Sequence, residues 1–133
     1  MLFLSNAALR YAVDICLEKD NYKVGIAVIG EDKRNTVQQM ILDMVTGSDY
    51  IESVRNSKYN FTIDFKNGSY IKLINASDNS RGNRLHLLIA DKEISIDVMN
   101  SVLKRCELLD WYEYSLKQRA IQNGLIVDDL VGL

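Results

Sequence analysis

Two short apolar runs constrain the fold of this 133-residue chain more than any other feature of its sequence. They are residues 23–29 (KVGIAVI) and residues 85–90 (LHLLIA), and both are rich in branched aliphatic side chains. Apolar runs of this length without polar alternation are typical of strands that are buried on both faces of a parallel sheet. A helical pattern follows the first run, so the order strand, helix, strand predicts an α/β fold.

Two amphipathic segments are predicted to be the helices that cover this sheet. Residues 6–19 are apolar around most of a helix, apart from a narrow stripe at Arg10, Asp14 and Glu18, which indicates packing against a sheet. Ser5 or Asn6 is expected to cap that helix. Residues 32–46 present one apolar face, and residues 2–4 are expected to form a short first strand.

A β-hairpin is predicted between the two buried strands. Apolar and polar residues alternate over residues 61–65, and Asn67-Gly68 is a strong turn signal because both residues tolerate the positive φ of a type I′ turn. The return strand should span residues 69–74, and residues 75–83 should form a polar loop. Residues 49–58 are interpreted as a polar connection with no assigned structure.

The rest of the chain is predicted to be one helical segment and a tail. Ser95 can cap a helix that continues to about residue 122, and the apolar residues 125–133 must pack on something. The length is typical of one domain. We therefore expect a single α/β domain over residues 1–124, followed by a tail over residues 125–133 that docks on the domain or on a partner.

Composition excludes several classes of function. The net charge of −2 gives no general attraction to nucleic acid or to an anionic membrane. Cys16 and Cys106 lie in apolar helical patterns without metal-ligand spacing, which favours buried, reduced thiols. No apolar run approaches the ~20 residues of a membrane-spanning helix. We expect a soluble cytoplasmic protein.

Candidate site residues follow from the predicted sheet, because open α/β folds bind ligands at the carboxyl ends of their strands. A buried strand that ends in a carboxylate suits a metal–nucleotide site, since hard cations need oxygen ligands on a rigid backbone. The simpler interpretation of each residue is structural: caps, solvated first turns and loop anchors, with His86 as a hydrogen-bonded core histidine. The candidates are Lys33, Arg34, Arg81, Gly82, Asp91 and Glu93.

Part of the chain resembles the ATPase domain of phage terminase large subunits, which package DNA. The resemblance covers roughly residues 6–106. It is carried by a hairpin turn, an Arg-Gly loop and an apolar strand that ends in an acidic residue. The matching residues are Phe65, Asn67, Gly68, Ser69 and Ile71, then Arg81-Gly82, then Leu87, Leu88, Ile89, Ala90 and Asp91. The resemblance implies a partial P-loop NTPase fold of three layers, with a mostly parallel sheet, an inserted β-hairpin and flanking helices.

Two departures from the family pattern argue against catalysis. The sequence contains no G-x-x-x-x-G-K-[ST], the loop whose backbone amides and lysine hold nucleotide phosphates. Lys92 also separates Asp91 from Glu93, and a one-residue shift along a strand would turn Glu93 to the opposite face. We therefore expect Asp91 and Glu93 to be vestigial Walker-B-like acids, with no catalytic residue, no metal and no ATPase activity.

The favoured hypothesis is a terminase-like phage or prophage domain that survives as a non-catalytic binding or assembly module. One alternative is a small phage protein that binds and inhibits a host or defence protein. Another is a nucleotide hydrolase completed by a partner chain, with Lys33, Arg34, Arg81 and Gly82 as phosphate contacts. A protein partner is expected, which includes a second copy of the chain. Nucleic-acid binding has weaker support, and no cofactor is expected, although Mg-ATP stays an alternative.

Overall fold

The structure, a computed structural model, describes residues 1–57, 60–76 and 84–100. Within these ranges the chain is an α/β domain built on one six-stranded mixed sheet. Its elements in chain order are β1 (Leu2–Phe3), α1 (Asn6–Glu18), β2 (Lys23–Val28), α2 (Glu31–Val45), β3 (Ile51–Asn56), β4 (Phe61–Phe65), β5 (Tyr70–Asn75), β6 (Leu87–Ala90) and α3 (Ile96–Val98).

The sheet has the strand order β1-β6-β2-β5-β4-β3. β2 lies at its centre and pairs in parallel with β5 on one side and with β6 on the other. β1 pairs in parallel with β6, whereas β4 and β3 extend the sheet antiparallel beyond β5. The α/β class and the two buried parallel strands predicted from the apolar runs are confirmed.

Successive side chains of β2 point to opposite faces of the sheet, and each face has its own apolar cluster. Val24, Ile26 and Val28 join the larger apolar cluster, which contains the buried faces of α1 and α2. Ala27 points the other way, into a smaller cluster with Ile94 and Met99. Within the described residues, both long helices therefore cover the same face of the sheet.

Gly25 has a packing role on the second face. A Cβ built at this position would overlap Cδ1 of Leu85, whose side chain is fully buried. The missing side chain in the central strand therefore makes room for an apolar residue from the segment that leads into β6.

The predicted hairpin is present, but its turn is not type I′. Only Gly68 has a positive φ, of 86°, and Asn67 is not among the residues with positive φ. The Gly68 N–H donates to the Phe65 carbonyl at 3.0 Å, and the Phe65 N–H donates to the Ser69 carbonyl at 2.8 Å. These bonds define a three-residue loop in which a turn is followed by a left-handed glycine. A three-residue loop needs only one residue with positive φ, which explains the difference.

One strand was missed by the sequence prediction. Residues 49–58 were interpreted as a polar connection with no assigned structure, yet β3 lies within them and pairs with β4. Residues 52–56 are all exposed, so β3 carries none of the apolar alternation that identifies a half-buried strand.

Several predictions fall outside the described residues. These are the Arg81-Gly82 loop, Cys106, the helical pattern beyond residue 100 and the tail at residues 125–133. The predicted cap of the last helix does lie within the described residues and is observed. Ser95 Oγ accepts a hydrogen bond from the Val98 N–H at 3.3 Å. Among the described residues, no helix is long and apolar enough to cross a membrane.

Candidate functional site

The first turn of α2 lies at the carboxyl ends of the parallel strands. Gly30 ends the β2 segment with a φ of 90° and turns the chain into α2, so Lys33 and Arg34 follow within one helical turn. Asp91 directly follows β6, and Asn75 is the last residue of β5. Because β5 and β6 flank β2, this turn stands between their two ends.

Lys33 binds the acidic end of β6. Its Nζ lies 2.9 Å from Asp91 Oδ2 and 3.3 Å from Glu93 Oε2. The Asp91 side chain is 3% exposed, whereas that of Glu93 is 66% exposed. One lysine of the same chain therefore provides the counter-charge for a buried carboxylate and joins a second, exposed carboxylate to it.

The predicted turn of the Glu93 side chain to the opposite face applied only if strand geometry persisted through residue 93, and this condition is not met. β6 ends at Ala90, so residues 91–93 do not continue the strand geometry on which that prediction depended. The chain turns instead, with the Ile94 N–H donating to the Asp91 carbonyl at 3.1 Å. This turn brings both carboxylates to Lys33.

Asp91 is also a structural cap of that turn. Its Oδ1 accepts from the backbone N–H of Glu93 at 3.1 Å, which is the local bond of an Asx turn. Its Oδ2 is buried and has no hydrogen bond of acceptable angle among the described residues, although Lys33 Nζ lies 2.9 Å away. Charge attraction rather than a directed hydrogen bond thus compensates the burial of this oxygen.

The pKa shifts of the pair agree with this geometry. Burial alone would raise the pKa of Asp91, but the Lys33 ammonium and the backbone N–H groups of Glu93 and Ile29 outweigh it and lower the pKa. The contact with Asp91 raises the pKa of Lys33, against a smaller opposing effect of burial, and Glu93 adds to the increase. Both groups are therefore charged at neutral pH.

Arg34 faces the other neighbour of β2. Its Nη1 donates to Asn75 Oδ1 at 3.4 Å, at the end of β5. Its Nε is buried and has no hydrogen-bond partner among the described residues. The two basic residues thus diverge, because Lys33 holds the end of β6 while Arg34 contacts the end of β5. Arg81 and Gly82, the other predicted phosphate contacts, lie outside the described residues.

Sequence reasoning named Lys33 and Asp91 separately and did not pair them. The signal was present, since both residues lie just beyond the carboxyl ends of predicted buried strands, and such strands share one edge of a parallel sheet. Asn75 was assigned only to a loop. Asn75 lies near Arg34 because β5, which it ends, is the neighbour of β2 in the sheet.

The Asn-Gly-Ser turn lies at the opposite, amino edge of the sheet and serves the fold. Asn67 Nδ2 donates to the carbonyls of Cys16 and Lys19, at 2.7 and 3.1 Å. Ser69 Oγ donates to the Lys19 carbonyl at 2.6 Å and accepts from the Tyr22 N–H at 2.9 Å. These side chains therefore satisfy the last carbonyls of α1 and fix the link from α1 to β2.

His86 and Cys16 are structural, as their sequence context predicted. His86 Nδ1 accepts from the Lys23 N–H at 2.9 Å, and the ring stacks on Tyr22 with 4.8 Å between centroids. Cys16 is buried, and that burial raises the pKa of its thiol to about 12. A thiol with such a pKa is a poor nucleophile at neutral pH.

The described residues of the candidate site carry two carboxylates, Asp91 and Glu93, and two basic side chains, Lys33 and Arg34. No group of three or more histidine, cysteine, aspartate or glutamate residues in the described part of the chain could hold a metal ion. Comparison of the chain with protein-family models, with curated proteins and with solved structures gives no match. The terminase resemblance therefore stays a prediction.

Proposed function

We propose that the chain is a non-catalytic α/β module of terminase-like, P-loop NTPase ancestry, phage or prophage encoded, which works by binding or assembling with a protein. The supporting observation is the Lys33 ammonium on Asp91. In nucleotide hydrolases a carboxylate at the end of a buried strand serves a divalent cation. Here a tethered ammonium neutralises that carboxylate and lies against the oxygen that a cation would need.

The order of elements supports the proposed ancestry. Helix α1, strand β2 and helix α2 precede three strands that pair antiparallel, β3 to β5. The buried strand β6 then follows and leads directly into Asp91. The Asn67–Ser69 turn, which is one part of the resemblance, holds the end of α1 through side-chain hydrogen bonds. These bonds require no nucleotide, so a chain that has lost hydrolysis would still need this turn in order to fold.

The experiment combines thermal melting with a phosphate-release assay, both with and without Mg-ATP. We expect no change in melting temperature and no phosphate release, because Lys33 neutralises the only buried carboxylate in the described part of the chain. An increase in melting temperature with Mg-ATP that is lost in Asp91→Ala would overturn the proposal. Asp43→Ala is the matched control, since Asp43 is an exposed carboxylate on the same helix as Lys33.

A further inference from the structure

Within the part of the chain that the structure describes, β3 has a neighbouring strand on one edge only. β3 is the terminal strand of the sheet order, and its neighbour among the described residues is β4. Residues 52–56 are exposed, and Val54 is 42% exposed although it is apolar. An edge strand that is exposed in this way presents a row of backbone N–H and C=O groups to a partner.

The pattern of hydrogen bonds between β3 and β4 identifies the backbone groups of β3 that face away from β4. Ser57 and Asn60 exchange both backbone bonds, at 3.0 and 3.4 Å. Bonded and non-bonded pairs alternate in an antiparallel ladder, so the pair Arg55–Thr62 is bonded and the pair Val54–Ile63 is not. The N–H and C=O of Val54 therefore point away from β4, toward any added strand.

We infer that β3 pairs antiparallel with β3 of a second copy of this chain, with Val54 on the two-fold axis. Outward-facing residues must lie opposite each other, which limits the register to a few alternatives. A register centred on Arg55 would set two guanidinium groups opposite each other, which is destabilising. A register centred on Ser53 would bring the bulge between Ile51 and Ser53 into the paired segment. The register centred on Val54 offsets the two Arg55 side chains by two residues and leaves the bulge at the ends of the paired segment.

This register is complementary on both faces of the sheet. On one face, Ile63 and Val54 of one copy continue into Val54 and Ile63 of the other, so the exposed valine completes an apolar row. On the opposite face, Arg55 of each copy lies opposite Ser53 of the other. Ser53 and Arg55 both contact Asp64 at 3.1 Å within one chain. Each Arg55 would therefore lie in one row across the sheet with Ser53 and Asp64 of the other copy, so the guanidinium groups at the junction would have carboxylates of both copies beside them, which favours self-pairing.

Light scattering across a concentration series of the full chain tests the pairing. The wild-type chain should form a dimer, and Val54→Lys should be a monomer at the same concentration, because two ammonium groups would meet on the axis. Far-UV circular dichroism of the variant should be unchanged, since the Val54 side chain is 42% exposed within one chain and lies outside both apolar clusters. A wild-type chain that is monomeric at every concentration, or a dimer that Val54→Lys leaves intact, would overturn the inference.

Disulfide trapping tests the register itself. Paired Cα atoms in a bonded antiparallel pair are about 5.5 Å apart, within the range of a disulfide. Val54→Cys should therefore form a covalent dimer under mild oxidation. Asn56→Cys is the control, because its two copies would lie roughly 14 Å apart along the strands and cannot be bridged. Cys106 is replaced by serine in both variants. Equal linking of both variants would contradict the register, whatever the outcome of the nucleotide experiments.

Discussion

At the scale of single residues, Asp91 shows why a buried carboxylate is stable here. Its charge is removed from water, yet the Lys33 ammonium at 2.9 Å and the Glu93 N–H at 3.1 Å compensate for that loss. Removal of either partner would leave an oxygen buried without compensation, and such changes are destabilising. The ion pair therefore serves the fold directly, whatever ligand the domain binds.

The pH dependence of stability should report this pair. Because the pKa of folded Asp91 is lowered, its contribution to stability is present above the unfolded value of about 3.9. That contribution is lost as the pH falls through the folded value. Asp91→Asn should therefore lower the melting temperature at pH 7, and the gap from wild type should narrow below about pH 4. A gap that is constant between pH 7 and pH 3 would show that the charge of Asp91 does not matter.

At the scale of elements, the hairpin turn and α1 form one hydrogen-bonded unit. Asn67→Ala removes the donor to the Cys16 and Lys19 carbonyls, and we expect a loss of about 1–3 kcal/mol in the free energy of unfolding. Lys66→Ala, at an exposed neighbouring position, is the control and should change it by less than about 0.5 kcal/mol. Chemical denaturation measures both variants, and equal effects would disprove this role of the turn.

The contact between Gly25 and Leu85 couples the central strand to the segment before β6. Gly25→Ala should cost roughly 1–3 kcal/mol, because the new methyl group overlaps a fully buried side chain. Leu85→Ala alone should cost about 2–5 kcal/mol through the cavity that it leaves. The double variant should be more stable than the sum of the two losses predicts, since each change relieves the other. Strictly additive losses, measured by denaturant titration, would show that the two sites do not touch.

The sequence predicted elements well where burial imposes a pattern. The apolar runs identified β2 and β6, and helical periodicity identified α1 and α2 to within one residue at each end. β3 was not predicted because a strand that is exposed on both faces lacks the alternation of apolar and polar residues. The turn was located correctly, but its type depends on loop length, which the dipeptide Asn67-Gly68 does not specify.

At the scale of the whole molecule, the order of the strands in the sheet could not be predicted from a single sequence. The candidate residues were found because they follow strands, but their pairing depends on which strands are neighbours. β6 and β5 lie on the two sides of β2, so the first turn of α2 can reach Asp91 with Lys33 and Asn75 with Arg34. Such long-range neighbours are set by tertiary packing rather than by local periodicity.

The central claim is that Lys33, rather than a bound cation, neutralises Asp91. Titration with Mn²⁺ followed by ¹⁵N–¹H correlation spectra tests it most directly, because the paramagnetic ion broadens amide signals close to its binding site. We predict that the Asp91 and Glu93 amides lose no more intensity than that of Asp43, an exposed carboxylate. Selective broadening at Asp91 and Glu93, at Mn²⁺ concentrations that leave Asp43 unaffected, would contradict the account.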